Sequence, residues 1–230
     1  MARLTRLVVP GLAHHVVQRA VAGQSGFRDL VDHQLFKAAL QRSSSECRVA
    51  LHAYVLLPHG FQLLATSQAD GDLGRMMQAL SRFYVPAFNR RYQRSGPLWQ
   101  GRYRTAPVGG ADALLTCMLY IEQAPQREEG ASAVDFPWSS AAVHTGARAE
   151  PMLSSVPAES AYWALGNTPF EREAAYTRLV HQPLTTSEVA ALESTTLKGW
   201  AFGSGEFIAS LSESAGRRVA AAARGRPKKR

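Results

Sequence analysis

Two apolar runs separated by a three-residue break most limit what this chain can become. Residues 48–57 (RVALHAYVLL) are rich in aliphatic and aromatic side chains, the composition of a buried strand. Pro58, His59 and Gly60 then favour a turn, and residues 61–66 (FQLLAT) return as a second strand. The pair reads as a β-hairpin.

The flanking segments supply its partners. Residues 12–19 (LAHHVVQR) read as an earlier strand. Residues 29–46 read as a helix, with an apolar stripe of Leu30, His33, Leu35, Phe36 and Leu40 and with acids near its start. After the hairpin, Leu73, Met76, Met77, Leu80, Tyr84, Ala87 and Phe88 recur at helical spacing. Pro86 falls inside this helix and is expected to kink or break it. Residues 103–108 read as a strand and 111–123 as a helix, opened by Asp112 and ended before Pro125. The order strand, helix, strand, strand, helix, strand, helix predicts an α+β fold with a mainly antiparallel sheet.

Residues 1–148 are expected to form this body, and 149–215 a helical, alanine-rich C-terminal extension. Within the extension Thr185 and Glu188 make a capping box for a helix running to Lys198, and Ser204 caps another over 205–215. Residues 216–230 form a basic tail with almost no apolar bulk, expected to be disordered without a partner.

The formal net charge is +8, and residues 217–230 hold seven lysines and arginines and no acid, so the rest of the chain is close to neutral. Any charged binding surface on the body is therefore local. Between Leu73 and Arg104 lie Arg75, Arg82, Arg90, Arg91, Arg94, Arg102 and Arg104, with no aspartate or glutamate. Such an unbalanced run points to a polyanion. The 46% of hydrophobic residues is ample for a core. Cys47 and Cys117 are too few for a disulfide framework and suit a reducing compartment. No stretch approaches the roughly 20 apolar residues of a membrane span. A soluble, cytoplasmic, nucleoid-associated protein is expected.

The ordered series MARLTRLVVPGLAHHVVQR, LHAYVLLPHGFQLLA, MMQALSRFYVPAFNRRYQRSGPLWQGRYR, LLTCMLYIEQAP and DFPWSS, with GWAFGSGEF and RGRPKKR at the end, resembles the REP-associated single-tyrosine transposases. The resemblance implies a ferredoxin-like antiparallel sheet with helices on one face. It also implies cleavage and rejoining of single-stranded DNA near hairpins of palindromic repeats. In that family a tyrosine hydroxyl attacks a phosphodiester and a divalent ion polarises the scissile phosphate. Two histidines in a His-hydrophobic-His strand motif and a polar residue four positions after the tyrosine hold the ion.

Carried onto this chain, the tyrosine falls on Tyr120, but the three ligand positions fall on Gly60, Gln62 and Ala124. Gly60 and Ala124 offer no side-chain donor, and Gln62 is a weak neutral one. His59 and Gln62 stand three apart and are expected on opposite strand faces. His14, His15 and His52 are possible substitutes, yet a strand histidine is more often packed or hydrogen-bonded than ligating. No metal cofactor is expected on this reading, and Tyr120, the nucleophile by resemblance, is equally readable as a core or groove-lining aromatic.

The DNA-binding features persist. Asn89-Arg90-Arg91-Tyr92 and Trp99-Gln100-Gly101-Arg102-Tyr103-Arg104 mix guanidinium groups, which suit phosphates, with aromatics, which suit unpaired bases. In the tail, Arg224-Gly225-Arg226-Pro227-Lys228 is similar to an AT-hook, which would place Arg224, Arg226 and Lys228 along an A·T-rich minor groove. The leading expectation is a DNA-binding protein that recognises hairpin or single-stranded repeat DNA, with strand cleavage lost or impaired. Two others stay open. One is an active transposase using Tyr120 with Mg2+ or Mn2+ held by ligands such as Gln62 or Glu122. The other is a regulator that binds A·T-rich duplex mainly through its tail.

Overall fold

A computed structural model describes residues 6–221. Its elements are β1 (Ala13–Arg19), α1 (Leu30–Glu46), β2 (Val49–Leu57), β3 (Gly60–Ser67), α2 (Asp72–Arg91), β4 (Arg104–Gly109), α3 (Ala111–Glu122), α4 (Ala124–Glu129), α5 (Ala141–His144), α6 (Pro169–His181), α7 (Thr186–Lys198), β5 (Phe202–Gly203) and α8 (Gly205–Ser214), with a 3-10 turn over Ala161–Leu165. The α+β class and the order of the first seven elements match the sequence reading. The tail arginines Arg224 and Arg226, and Lys228, lie outside the described residues.

The five strands run in the order β2-β3-β1-β4-β5. The first four are antiparallel, and β5 adds a short parallel pairing of Val108 with Phe202 and Gly109 with Gly203. Alternation along each strand sorts side chains onto two faces. Val16, Phe61, Leu63, Tyr54 and Leu56 face one way, beneath α1 and α2. Their core is aromatic: Phe27, Phe36, Phe61, Tyr84 and Trp99 pack ring to ring, with Phe36 and Phe61 centroids 4.7 Å apart.

Helices were expected on one face only, and α1 and α2 do cover that face. The opposite face is covered as well. Ala13, Ala53, Val55, Leu57, Leu64 and Val108 pack there against α3, with Tyr176 and Val180 of α6 and Leu192 of α7 completing the layer. The reason is the strands themselves: β2 carries apolar side chains on both sides and β3 adds Leu64 to the second, so neither side can be left to water. The C-terminal segment is therefore not an appendage. It closes the second core layer and supplies the fifth strand.

Local signals set the helix ends. Asp29 caps α1 by accepting from the Asp32 amide at 3.1 Å. The Thr185/Glu188 capping box and the Ser204 cap are both formed. Helix α2 runs unbroken through Pro86, against expectation. Proline removes one backbone hydrogen bond there, but buried Tyr84 and Phe88 on either side anchor the helix to the aromatic core.

Candidate site around Tyr120 and the arginine-bearing surface

The β1–β3 register places His15 opposite Leu64 and Val17 opposite Gln62. His15 and Gln62 therefore share the α3 face of the sheet, one diagonal step apart. His15 Nε2 lies 3.0 Å from Gln62 Oε1, and His15 Nδ1 lies 2.8 Å from Thr196 Oγ1 on α7. Burial lowers the His15 pKa to about 4, helped by the Arg127 charge and opposed by the Gln62 hydrogen bond. The ring is thus neutral at pH 7. With the Gln62 amide so oriented, Nε2–H donates to Gln62 and Nδ1 accepts from the Thr196 hydroxyl. His14 points to the other face. It is also buried and lowered to about 4, and its Nδ1 sits 2.8 Å from the Leu12 carbonyl.

Tyr120 meets this pair edge-on, its ring centroid 5.4 Å from that of His15. The Arg127 guanidinium lies 4.2 Å over the same ring, and Arg127 donates to the Tyr120 carbonyl at 3.1 Å. Tyr120 is 4% exposed, and its hydroxyl donates to Glu193 Oε1 at 3.2 Å. Burial, above all, holds its pKa well above the ordinary tyrosine range. A nucleophilic tyrosine needs an accessible oxygen and a route to lose its proton. This hydroxyl instead faces a carboxylate that favours its neutral form.

The residues do not fit a divalent metal. Gly60 has no side chain, and its backbone leaves no room for one: a Cβ there would lie 2.3 Å from the Gln18 carbonyl oxygen. Gln62 is already engaged by His15. Ala124 is fully buried and carries no donor. His59 turns away and pairs with Glu128, its Nε2 2.7 Å from Glu128 Oε2. His52 is held between the Ser155 carbonyl and Thr66. Glu122, named in the sequence as an alternative ligand, is fully buried beside α5 and α6, where His144 Nδ1 and the Tyr176 hydroxyl approach it at 2.6 and 2.7 Å and Ser140 donates as well. Among the described residues no three histidine, cysteine, aspartate or glutamate side chains gather where they could hold a metal ion.

The predicted DNA-contacting residues divide into two groups. Arg82, Arg90, Arg102 and Arg104 are exposed and have no side-chain hydrogen bond or ion pair among the described residues. The others are occupied. Arg91 is a clamp between helices, reaching Asp29 at 2.5 Å and Asp32 at 2.6 Å, while Tyr92 donates to Asp32 at 2.8 Å. Arg75 pairs with Asp72 in the first turn of α2. Arg94 ties its own loop to Gln24 at 2.6 Å and to the Pro97 carbonyl at 3.0 Å. Trp99 is 8% exposed and packs in the aromatic core, so it is not offered to a base. Tyr103 is half-buried, with the Arg6 guanidinium 3.9 Å over its ring. A cleft of about 400 Å3 separates Arg102 and Tyr103 from Gly74, Gln78 and Ser81 of α2.

His15 was weighed in the sequence as a packed strand histidine, and that is its state. Thr196, which hydrogen-bonds His15, and Glu193, which accepts from Tyr120, carry no motif and were missed. Only the folding of α7 over the sheet brings them to β1. No helix among the described residues is long and apolar enough to cross a membrane.

No protein-family model and no curated protein matches the sequence. A solved structure of a REP-associated tyrosine transposase bound to a REP hairpin is similar, with a TM-score of 0.55, 14% identity, and coverage of 67% of this chain and 92% of that one. The likeness establishes a transposase-like α+β fold.

Proposed function

We propose that this protein binds hairpin or single-stranded repeat DNA through the exposed arginines of α2 and the loop leading into β4, without metal-dependent strand cleavage. The observation that carries the reading is the contrast between two sites on one fold. Around Tyr120, every position that would hold a metal is empty of donors or hydrogen-bonded elsewhere. At the surface, Arg82, Arg90, Arg102 and Arg104 keep guanidinium groups free to meet phosphates. The fold shared with a hairpin-bound transposase supports the choice of nucleic acid as the polyanion. The basic tail adds a sequence-tolerant electrostatic contribution.

The test is fluorescence anisotropy with a hairpin oligonucleotide across a salt series, alongside a cleavage assay in Mg2+ and Mn2+. Each of Arg82→Ala, Arg90→Ala, Arg102→Ala and Arg104→Ala that removes a phosphate contact should lower the salt slope by about 1. Deleting residues 222–230, which spares buried Val219, should weaken binding without abolishing it. Complete loss on that deletion would transfer the function to the tail. A covalent DNA adduct that forms with metal and disappears in Tyr120→Phe would overturn the loss of cleavage.

A further inference from the structure

A second cavity, of about 420 Å3, opens where the N-terminal arm, the loop into β4, the end of α7 and the segment after α8 converge. Five cationic side chains line it, Arg6, Arg102, Arg104, Lys198 and Arg217, and no acid does. Tyr103 and Trp200 supply aromatic walls. The lining also includes Thr105, whose hydroxyl is buried and has no hydrogen-bond partner among the described residues. A buried hydroxyl without an acceptor is costly and uncommon, and a phosphoryl oxygen is an acceptor. The negative end of the α7 dipole faces this region, but Lys198 in its last turn offsets that charge.

From this geometry we infer that the cavity is a phosphomonoester site for a nucleotide, either free or at the end of a DNA strand. The inference rests on the nucleic-acid reading above and adds to it the class of ligand and the place. A terminal phosphate carries about −1.5 to −2 at pH 7, whereas an internal diester carries a single charge. A bounded cavity with five cations favours the more highly charged group, and its volume lies within the range that holds small ligands. Trp200 offers a surface for the base. The position fits a DNA-binding protein in two further ways. Thr196 lines the cavity and hydrogen-bonds His15, so the site lies one step from Tyr120. The Ala201 amide donates to the carbonyl of buried Val219, which fixes the last described stretch of chain beside the cavity, and the basic tail continues from there.

The full chain is titrated, by tryptophan fluorescence and by thermal shift, with deoxyadenosine and its 5′-monophosphate. It is then titrated with one single-stranded oligonucleotide ending in a 5′-phosphate, a 3′-phosphate or hydroxyls only. The phosphorylated member of a pair should bind about tenfold more tightly. The double variant Arg102→Ala/Lys198→Ala should abolish that difference while melting like the parent, since both side chains are exposed. Trp200→Phe should lose the fluorescence response and keep the thermal shift. A gain with the mononucleotide alone assigns the site to free nucleotides. A gain with a phosphorylated end assigns it to strand termini. If neither phosphate improves binding, or if the double variant keeps the difference, the site is refuted. Failure of hydroxyl-ended hairpin DNA to bind would instead count against the DNA reading, and the mononucleotide arm would still report on the cavity.

Discussion

His15 and Gln62 hold each other across the β1–β3 ladder, Nε2 to Oε1 at 3.0 Å. Beside this pair, residue 60 has no room for a side chain. A Cβ at residue 60 would sit 2.3 Å from the Gln18 carbonyl and 2.9 Å from the Arg19 Cα, both backbone atoms that cannot swing aside. Gly60→Ala should cost about 2 kcal/mol, seen as a fall of several degrees in melting temperature. Gly60→His/Gln62→His should be less stable still and should show no metal-dependent cleavage. A Gly60→Ala variant that melts with the parent would show that the hairpin can open at this point.

The two buried histidines of β1 make stability depend on pH. His14 and His15 each titrate near 4 in the folded chain and near 6.5 when unfolded, chiefly because burial disfavours the charged ring. Between those values the unfolded chain binds more protons, so acid favours unfolding. Their contribution is complete above pH 6.5 and declines as the pH falls towards 4, by up to roughly 3 kcal/mol each. The half-exposed His59 runs the other way: its hydrogen bond to Glu128 raises its pKa, so that pair stabilises at low pH and fades as the ring deprotonates. Urea titrations at pH 7, 5.5 and 4 should show a steep net loss. His15→Gln should flatten it, and an unchanged slope in that variant would sink the assignment.

Much of the fold was readable because its signals are local. The periodic stripe of α2, the capping box at Thr185 and the Pro58–Gly60 turn each act within a few residues, and the elements given a span in the sequence lie within a residue or two of it, except α2, which runs on to Arg91. The site was less readable because its contacts are not local. Arg91 looked unbalanced in a window without acids, yet its partners Asp29 and Asp32 are some 60 residues away in sequence. Trp99 reads as a stacking aromatic beside Arg102 until the packing of Phe27, Phe36 and Tyr84 claims it. The lack of strong ligands at Gly60, Gln62 and Ala124 was visible in the sequence, but the hydrogen bonds of His15 with Gln62 and Thr196 depend on strand register and on α7 crossing the sheet.

That difference between paired and free arginines can be measured. Arg91→Ala leaves Asp32, which is fully buried, without its cation and should destabilise the fold by about 2 kcal/mol. Arg82→Ala and Arg90→Ala should alter the melting temperature little, since surface substitutions usually stay within about 0.5 kcal/mol. In DNA binding the ranking should reverse, with the exposed pair losing affinity and salt dependence and Arg91→Ala, measured well below its melting point, losing less. Equal binding losses at all three positions would mean that the α1–α2 clamp opens to reach the phosphate backbone.

Glu122 tests whether the C-terminal helices belong to the body. Its carboxylate has no solvent exposure and accepts from Ser140, His144 and Tyr176, and so joins α3 to the 139–144 segment and to α6. Burial and this carboxylate together hold the Tyr176 hydroxyl far above its usual pKa, so the tyrosine stays a donor. Glu122→Ala removes the acceptor from three buried donors at once and should cost about 3–5 kcal/mol. Glu122→Gln keeps the shape but sets an amide N–H2 against a donor, and about 2 kcal/mol is expected. Because α6 packs on the same core as α3, both variants should unfold in one transition with the whole domain. Separate melting of the C-terminal helices, with the remaining sheet intact, would show that the second layer is docked rather than integral.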